Sequence, residues 1–277
     1  MDNASIRGEA PFLPNRVDFL HRTVRDFLRN NYLDQLRSRA GDRFDAKFSL
    51  CNMIVALCKI SADSYLLHFP GKDTSPEIDF GLVDEMLLYV KDFERTEAQS
   101  LASLLDELDR VNTNRTKRTH VHWTNQRKTD FSCTFLALAI RAGLRLYVKE
   151  KVELNKALIT EKRGRPRFDY TCRHERSSTI LSQLGQNDIF NPEMVRLLLE
   201  HGSEPNQPIY NGHNTWSLFC SNFYSTHHRH IRENASIFTF STHKWYEGFK
   251  PMIDHGASPN VEVQRDKKIK TIIRIHM

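Results

Sequence analysis

The stretch Met194–Asn206, MVRLLLEHGSEPN, contains the clearest structural signal in this sequence of 277 residues. Its first half carries apolar side chains at the spacing that buries one face of a helix. Gly202 follows the last apolar turn, and glycine at that position commonly ends a helix in the left-handed backbone conformation. The stretch therefore predicts a helix that stops at Gly202 and turns into a short extended finger.

The same pattern returns at Phe249–Asn260, FKPMIDHGASPN. Both copies have an apolar helix end, an acidic residue, a His-Gly pair, a small residue and a final Pro-Asn. Because two unrelated helix stops rarely share such an ending, we interpret the copies as repeats. Helix starts of the type Thr-x-Leu, in which threonine can cap the helix, occur at Thr134 and Thr179 and in weaker form at Thr215.

This combination of helix start, His-Gly turn and finger resembles the ankyrin repeat. The resemblance implies units that bury their apolar faces only by stacking, so that about three are needed for stability. Gly202 and Gly256 are 54 positions apart, well beyond the usual period of about 33. This spacing predicts an insertion at residues 223–243. We expect a short, degenerate ankyrin-like stack over 131–262 that packs against the preceding helices.

The preceding residues, 16–111, predict a helical domain and with it an all-α fold class. Apolar residues recur at helical spacing from Val17 to Leu36, from Phe48 to Leu67, from Ile78 to Phe93 and from Glu97 to Val111. In the second helix we expect an inward face formed by Cys51, Ile54, Val55, Cys58 and Leu66. Short polar turns between the helices favour a bundle.

The string Val17–Leu28, VDFLHRTVRDFL, resembles a motif in the helical region that follows the nucleotide-binding module of fungal NACHT-domain proteins. The later segment Phe44–Leu50 fits that region, and ankyrin repeats commonly follow it. The resemblance implies a part of a signalling protein involved in recognition of non-self. The phosphate-binding pattern G-x-x-x-x-G-K-[ST] is missing, since Gly71-Lys72-Asp73-Thr74 does not satisfy it. NTPase activity is therefore not expected, and we interpret the chain as a fragment or stand-alone derivative.

Charge is concentrated in the middle of the chain. Residues 111–176 contain 16 basic and 6 acidic side chains, a net charge of +10, whereas the whole chain carries +6. The polar and basic residues 112–130 predict a linker, residues 1–15 an N-terminal tail and residues 263–277 a basic C-terminal tail.

Arg163-Gly164-Arg165-Pro166 within this basic segment is the core of an AT-hook. Arginines in such a motif enter the narrow minor groove of A·T-rich DNA, and the surrounding positive charge attracts phosphates. A solvated basic loop between repeats is the simpler interpretation, because the tetrapeptide occurs once and is followed by Phe168-Asp169-Tyr170. Binding to nucleic acid remains the alternative function.

No catalytic, metal or cofactor site is predicted. The histidines lack the spacing of a tetrahedral zinc site, and no nucleophile motif is present. No apolar stretch is long enough to span a membrane, and no signal peptide is recognisable at the start. The cysteines are scattered and form no CxxC pair: Cys51, Cys58, Cys133, Cys172 and Cys220. Such cysteines suit a reducing compartment. We therefore expect a cytoplasmic protein, with the nucleus as the alternative.

The finger after Asn206 is the candidate site for a protein partner. Tyr210 offers amphipathic contact area at low entropic cost, and Asn211 and His213 offer hydrogen bonds. The sequence thus predicts a non-enzymatic protein–protein interaction module. A remnant without independent function is the remaining alternative, since the repeats are degraded and no nucleotide-binding module is visible.

Overall fold

Helices dominate the structure, a computed structural model that describes residues 32–41, 44–68, 78, 80–116, 122–127, 134–160, 168, 171, 191–208, 214–221, 223, 238–258, 260–266 and 269–274. The predicted helical fold class is confirmed for this part of the chain. No helix among these residues has the length and apolar character needed to cross a membrane.

Four helices form the first half of the described chain: α1 (Leu33–Ala40), α2 (Ala46–His68), α3 (Phe80–Glu97) and α4 (Ala102–Thr116). α2 packs against both α3 and α4. The inward face predicted for α2 is confirmed at four positions, because Cys51, Ile54, Val55 and Cys58 are buried. The side chain of Leu66 lies outside the described residues.

The linker predicted at 112–130 is wrong for part of its length. α4 continues to Thr116, and the side chains of Asn112 and Thr116 are buried. A 3-10 helix follows at Trp123–Arg127. The fully buried indole of Trp123 donates a hydrogen bond of 2.7 Å to Asp109 Oδ1. The polar residues around Trp123 had suggested a linker. The buried aromatic ring instead anchors this segment on the core.

The second half contains α5 (Phe135–Ala142), α6 (Arg145–Leu154), α7 (Ala157–Thr160), α8 (Pro192–Glu200), helical residues 215–221 and α9 (Phe238–Asp254). The cap predicted at Thr134 is confirmed, since its hydroxyl accepts the Ala137 N–H at 3.3 Å. Contacts run from α3 to α5 and α6, from α6 to α8 and from α8 to α9. The helices of the two halves therefore share one continuous core.

Three helices end in the same way. Gly143, Gly202 and Gly256 have φ angles of 79°, 101° and 87°, a conformation that costs glycine little. In each case the next residue donates its N–H to the carbonyl five positions earlier: Leu144 to Ala139, Ser203 to Leu198 and Ala257 to Met252, at 3.0, 2.9 and 2.9 Å. This is the Schellman ending, and it confirms the predicted helix stop at Gly202.

An antiparallel hairpin follows the last helix, with β1 at Asn260–Asp266 and β2 at Ile269–Arg274. Val261 pairs with Ile273, and Val263 pairs with Thr271. No strands were predicted here, and residues 263–277 were expected to form a basic tail. The pairing satisfies the backbone groups of a segment whose charged side chains had suggested a tail.

Candidate partner-binding surface

The base of the finger is closed by hydrogen bonds on both sides. Pro208 and Asn214 form an isolated antiparallel bridge, and the Trp216 N–H donates to the Pro205 carbonyl at 2.9 Å. The predicted contact residues Tyr210, Asn211 and His213 fall between these two ends, outside the described residues. The structure therefore fixes where the finger starts and ends.

Asn214 connects the finger to the helical residues 215–221. Its side-chain oxygen accepts the Ser217 N–H at 2.7 Å, and the Ser217 hydroxyl donates to the Asn214 carbonyl at 2.9 Å. Asparagine is a preferred residue at the start of a helix for this reason. Thr215 and Trp216 are buried immediately afterwards, so the end of the finger is anchored in the core.

The two His-Gly turns predicted as repeats lie next to each other. The Asn206 side-chain amide donates to the Gly256 carbonyl at 2.7 Å, and the Trp216 indole donates to the Ser258 carbonyl at 2.7 Å. Phe249 packs edge-on against Trp216, with ring centroids 5.5 Å apart. Asn206 of the first copy and Trp216 after the finger thus hold the turn of the second copy.

The histidines of both turns make the same local contact. Nδ1 of His201 donates to the Leu197 carbonyl, and Nδ1 of His255 donates to the Pro251 carbonyl, each at 2.8 Å. The same two carbonyls also accept the backbone N–H groups of His201 and His255, at 3.2 and 3.1 Å, so each imidazole closes back on its own helix end. The shared geometry indicates a structural role for both histidines.

Glu94 joins the first group of helices to the second. Its carboxylate accepts the Leu146 N–H at 2.9 Å and the Tyr147 N–H at 2.8 Å, two groups at the start of α6 that lack partners within the helix. Burial raises the pKa of Glu94, while these two amides and Arg145 oppose the rise. A largely buried carboxylate is therefore held by the positive end of a helix.

A second contact across the same junction involves Asp106. The Tyr147 hydroxyl donates to Asp106 Oδ1 at 3.2 Å, and Lys151 forms an ion pair with the same carboxylate. Burial, followed by the charge of Asp106, raises the pKa of Tyr147. The phenol consequently stays protonated and keeps donating.

Several cations of the basic segment 111–176 are paired with carboxylates. Lys151 contacts Asp106, Arg145 contacts Glu193 at 3.3 Å, and Lys149 contacts Glu153 at 3.8 Å. Asp106 and Glu193 lie outside the segment, so its net charge overstates the positive potential of the folded surface. The AT-hook candidates Arg163, Gly164, Arg165 and Pro166 lie outside the described residues.

Among the residues that the structure describes, no group of three His, Cys, Asp or Glu side chains is able to hold a metal ion. His122 lies 2.7 Å from the Thr124 hydroxyl and 3.3 Å from Asp109. It belongs to the local network around Trp123.

Three of the residues that join these elements were not predicted from the sequence: Glu94, Asn206 and Trp216. The Pro-Asn ending common to both copies was a signal for Asn206. Nothing local to Glu94 indicates that it contacts residues 52 and 53 positions away.

A family model described as Domain of unknown function (DUF7791) matches residues 6–68, which include the string Val17–Leu28 and α2. Searches of curated proteins and of solved structures found no match.

Proposed function

We propose that this chain is a non-enzymatic interaction protein that binds a protein partner through the finger Gln207–His213 of a short ankyrin-like stack. The observation that carries the proposal is the hydrogen bond from Asn206 to the Gly256 carbonyl. It joins the start of the finger to the corresponding turn of the next copy, as expected of neighbouring units in a repeat stack.

The order of the helices supports this interpretation. α8 and α9, the helices that end in the two His-Gly turns, contact each other, and α8 also contacts α6. A methyl carbon of Thr160 lies 3.3 Å from the position that a Cβ on Gly202 would occupy. Each turn is therefore supported by an element of the neighbouring unit.

The anchored base of the finger favours binding over a structural role alone. Pro208 and Asn214 are paired, and the flanking Pro205 and Trp216 are buried. A tip held at both ends loses less conformational entropy on binding than a free loop does. Tyr210, Asn211 and His213 would supply apolar area and hydrogen bonds from such a tip.

The helical half would serve as the support of the stack. Glu94 and Asp106 bond to residues of α6, so the first repeat-like unit is docked on the bundle. The match to DUF7791 at residues 6–68 and the resemblance of Val17–Leu28 to NACHT-associated helical regions together support a derivative of a cytoplasmic fungal signalling protein.

Affinity purification with the full chain tests the proposal. The informative variant combines Tyr210→Ala, Asn211→Ala and His213→Ala. A matched control combines Lys149→Ala, Glu150→Ala and Glu153→Ala, three exposed positions on α6. We expect cell extract to yield a protein retained by the wild type and the control but lost from the finger variant.

Two results would contradict the proposal. One is that the finger variant and the wild type retain the same proteins in equal amounts. The other is that the wild type retains nothing beyond what an unrelated protein of the same charge retains. Equal helical circular dichroism of the variants excludes misfolding as the cause of a loss.

A further inference from the structure

The hairpin of β1 and β2 occupies the place of the finger in the second sequence copy. The shared Pro-Asn ending aligns Asn206 with Asn260, so that Pro208 corresponds to Glu262. Pro208 forms the bridge at the base of the first finger, and Glu262 pairs with Ile272 in the hairpin. The hairpin is therefore a second finger, in which a single bridge is extended into two strands.

The base of this second finger is held by hydrogen bonds. The buried Trp216 indole donates to the Ser258 carbonyl at 2.7 Å, and the Asn206 side-chain amide donates to the Gly256 carbonyl at 2.7 Å. The Ser258 hydroxyl donates in turn to the carbonyl of Asn260, the first residue of β1, at 2.7 Å. The start of the hairpin is therefore tied to the core through Trp216.

The two strands of the hairpin have different outer edges. β1 contains a bulge between Gln264 and Asp266, and Pro259 precedes it. Bulges and prolines are features that protect a sheet edge from further pairing. β2 pairs without interruption from Ile269 to Arg274, and four of its six residues have the β-branched side chains that favour strands. The edge of β2 is therefore the better one for accepting another strand.

The outer edge of β2 has no strand beside it in the described part of the chain. The sheet there consists of β1 and β2, so one row of β2 backbone N–H and C=O groups points away from the ladder. Because a two-stranded hairpin is only marginally stable in water, a third strand would stabilise it. An extended peptide offers both donors and acceptors to such an edge, whereas the phosphate backbone of a nucleic acid offers acceptors only.

The charge of the hairpin indicates which kind of strand it accepts. Residues 260–274 contain five basic and two acidic side chains, and β2 itself carries Lys270 and Arg274 but no acidic residue. Two copies of β2 side by side would bring like charges together, which is destabilising in a sheet. An acidic strand would gain from opposite charges instead. The occupant that fits is therefore an extended acidic peptide and not a second copy of this chain.

We propose that β2 is a docking edge, to which an extended acidic segment of a partner protein adds as a third strand. Main-chain hydrogen bonds supply the affinity in this mode of binding, and the positive charge of the hairpin selects acidic segments. The docking edge belongs to the second finger. The proposal therefore does not depend on binding through Tyr210, Asn211 and His213 of the first.

Fluorescence anisotropy with synthetic peptides tests the proposal on the full chain. The probe is a labelled peptide of alternating glutamate and valine, long enough to span β2. One control peptide has lysine in place of glutamate, and the other carries a methyl group on every backbone amide nitrogen and cannot donate to a strand. We expect the probe to bind at least about tenfold more tightly than either control. The variant with Tyr210→Ala, Asn211→Ala and His213→Ala should bind the probe like the wild type.

Charge reversal locates the binding site on the protein. Lys270→Glu combined with Arg274→Glu should weaken binding of the acidic probe at least about tenfold. The matched control combines Lys149→Glu and Lys156→Glu, two exposed positions with the same change in net charge. It should leave the affinity within about twofold at physiological salt, because distant exposed charges are screened. Hydrogen exchange of the wild type needs no variant, and the probe should slow exchange in peptides covering Ile269–Arg274.

Four outcomes overturn the proposal. The probe could fail to bind, or the fully methylated peptide could bind as tightly, which would leave charge alone as the cause. The two charge reversals could weaken binding equally. Exchange at Ile269–Arg274 could stay unchanged while the probe is bound. Duplex DNA that binds the chain more tightly than the probe and is lost with Lys270→Glu and Arg274→Glu would assign the hairpin to nucleic acid instead.

Discussion

The side-chain amide of Asn206 lies 2.7 Å from the backbone carbonyl of Gly256, to which it donates a hydrogen bond. The two residues occupy equivalent regions of two copies of one sequence pattern, 50 positions apart. The bond therefore acts between copies, and removing it weakens their contact without touching the helix end of either one.

Asn206→Ala should lower the free energy of unfolding by about 0.5–1.5 kcal/mol, the net value of one hydrogen bond. Asn114→Ala, at an exposed position of α4, is the control and should change it by less than about 0.5 kcal/mol. Urea unfolding followed by circular dichroism measures both. Equal values for the two variants would show that the bond does not contribute. A missing cooperative transition in the wild type would favour the remnant interpretation.

Glu94→Ala should destabilise the protein by about 1–3 kcal/mol, because the Leu146 and Tyr147 amides would lose their acceptor at a buried junction. The neighbouring Glu97 is exposed on the same helix, and Glu97→Ala should change stability by less than about 0.5 kcal/mol. Thermal and urea unfolding measure the difference. A loss at Glu94 no larger than that at Glu97 would refute the coupling of the two halves.

The contribution of Glu94 to the free energy of unfolding should depend on pH in a defined direction. Burial raises the pKa of Glu94 above its ordinary value of 4.5, so its contribution to stability is greatest below that pH and declines as pH rises through the folded-state pKa. The glutamine side chain of the Glu94→Gln variant is uncharged at every pH. The stability of the wild type minus that of Glu94→Gln should therefore fall as pH increases. Urea titrations from about pH 4 to pH 7 measure it, and a flat or rising difference would contradict the assignment.

Binding to A·T-rich duplex DNA should be weak and unchanged by Arg163→Ala and Arg165→Ala. Ion pairs such as Lys151–Asp106 and Arg145–Glu193 reduce the positive charge available to phosphates. A gel-shift titration at low and physiological salt measures this. Tight, salt-sensitive binding that collapses on Arg165→Ala would establish the AT-hook instead.

Local signals in the sequence were sufficient for helices and their ends. Gly202 predicted a helix stop because glycine is favoured where φ is positive, and Thr134 predicted a cap through its hydroxyl. The inward face of α2 followed from apolar spacing. These features depend on residues close together in the chain, so the sequence pattern alone is enough to predict them.

Contacts between distant residues were not predictable in the same way. Glu94 resembles any surface carboxylate in sequence, and only the packing of α3 against α6 brings it to the start of that helix. Trp123 lay in a polar stretch that suggested a linker, although its ring is fully buried. The hairpin at Asn260–Arg274 depends on pairing between strands, to which the abundant lysine and arginine side chains gave no clue.

The affinity of a purified partner for the finger tests the central claim most directly. Isothermal titration should show a dissociation constant at least about tenfold weaker for the variant with Tyr210→Ala, Asn211→Ala and His213→Ala, equivalent to about 1.4 kcal/mol. The control with Lys149→Ala, Glu150→Ala and Glu153→Ala should bind like the wild type. The same dissociation constant for the finger variant and the wild type would contradict the account.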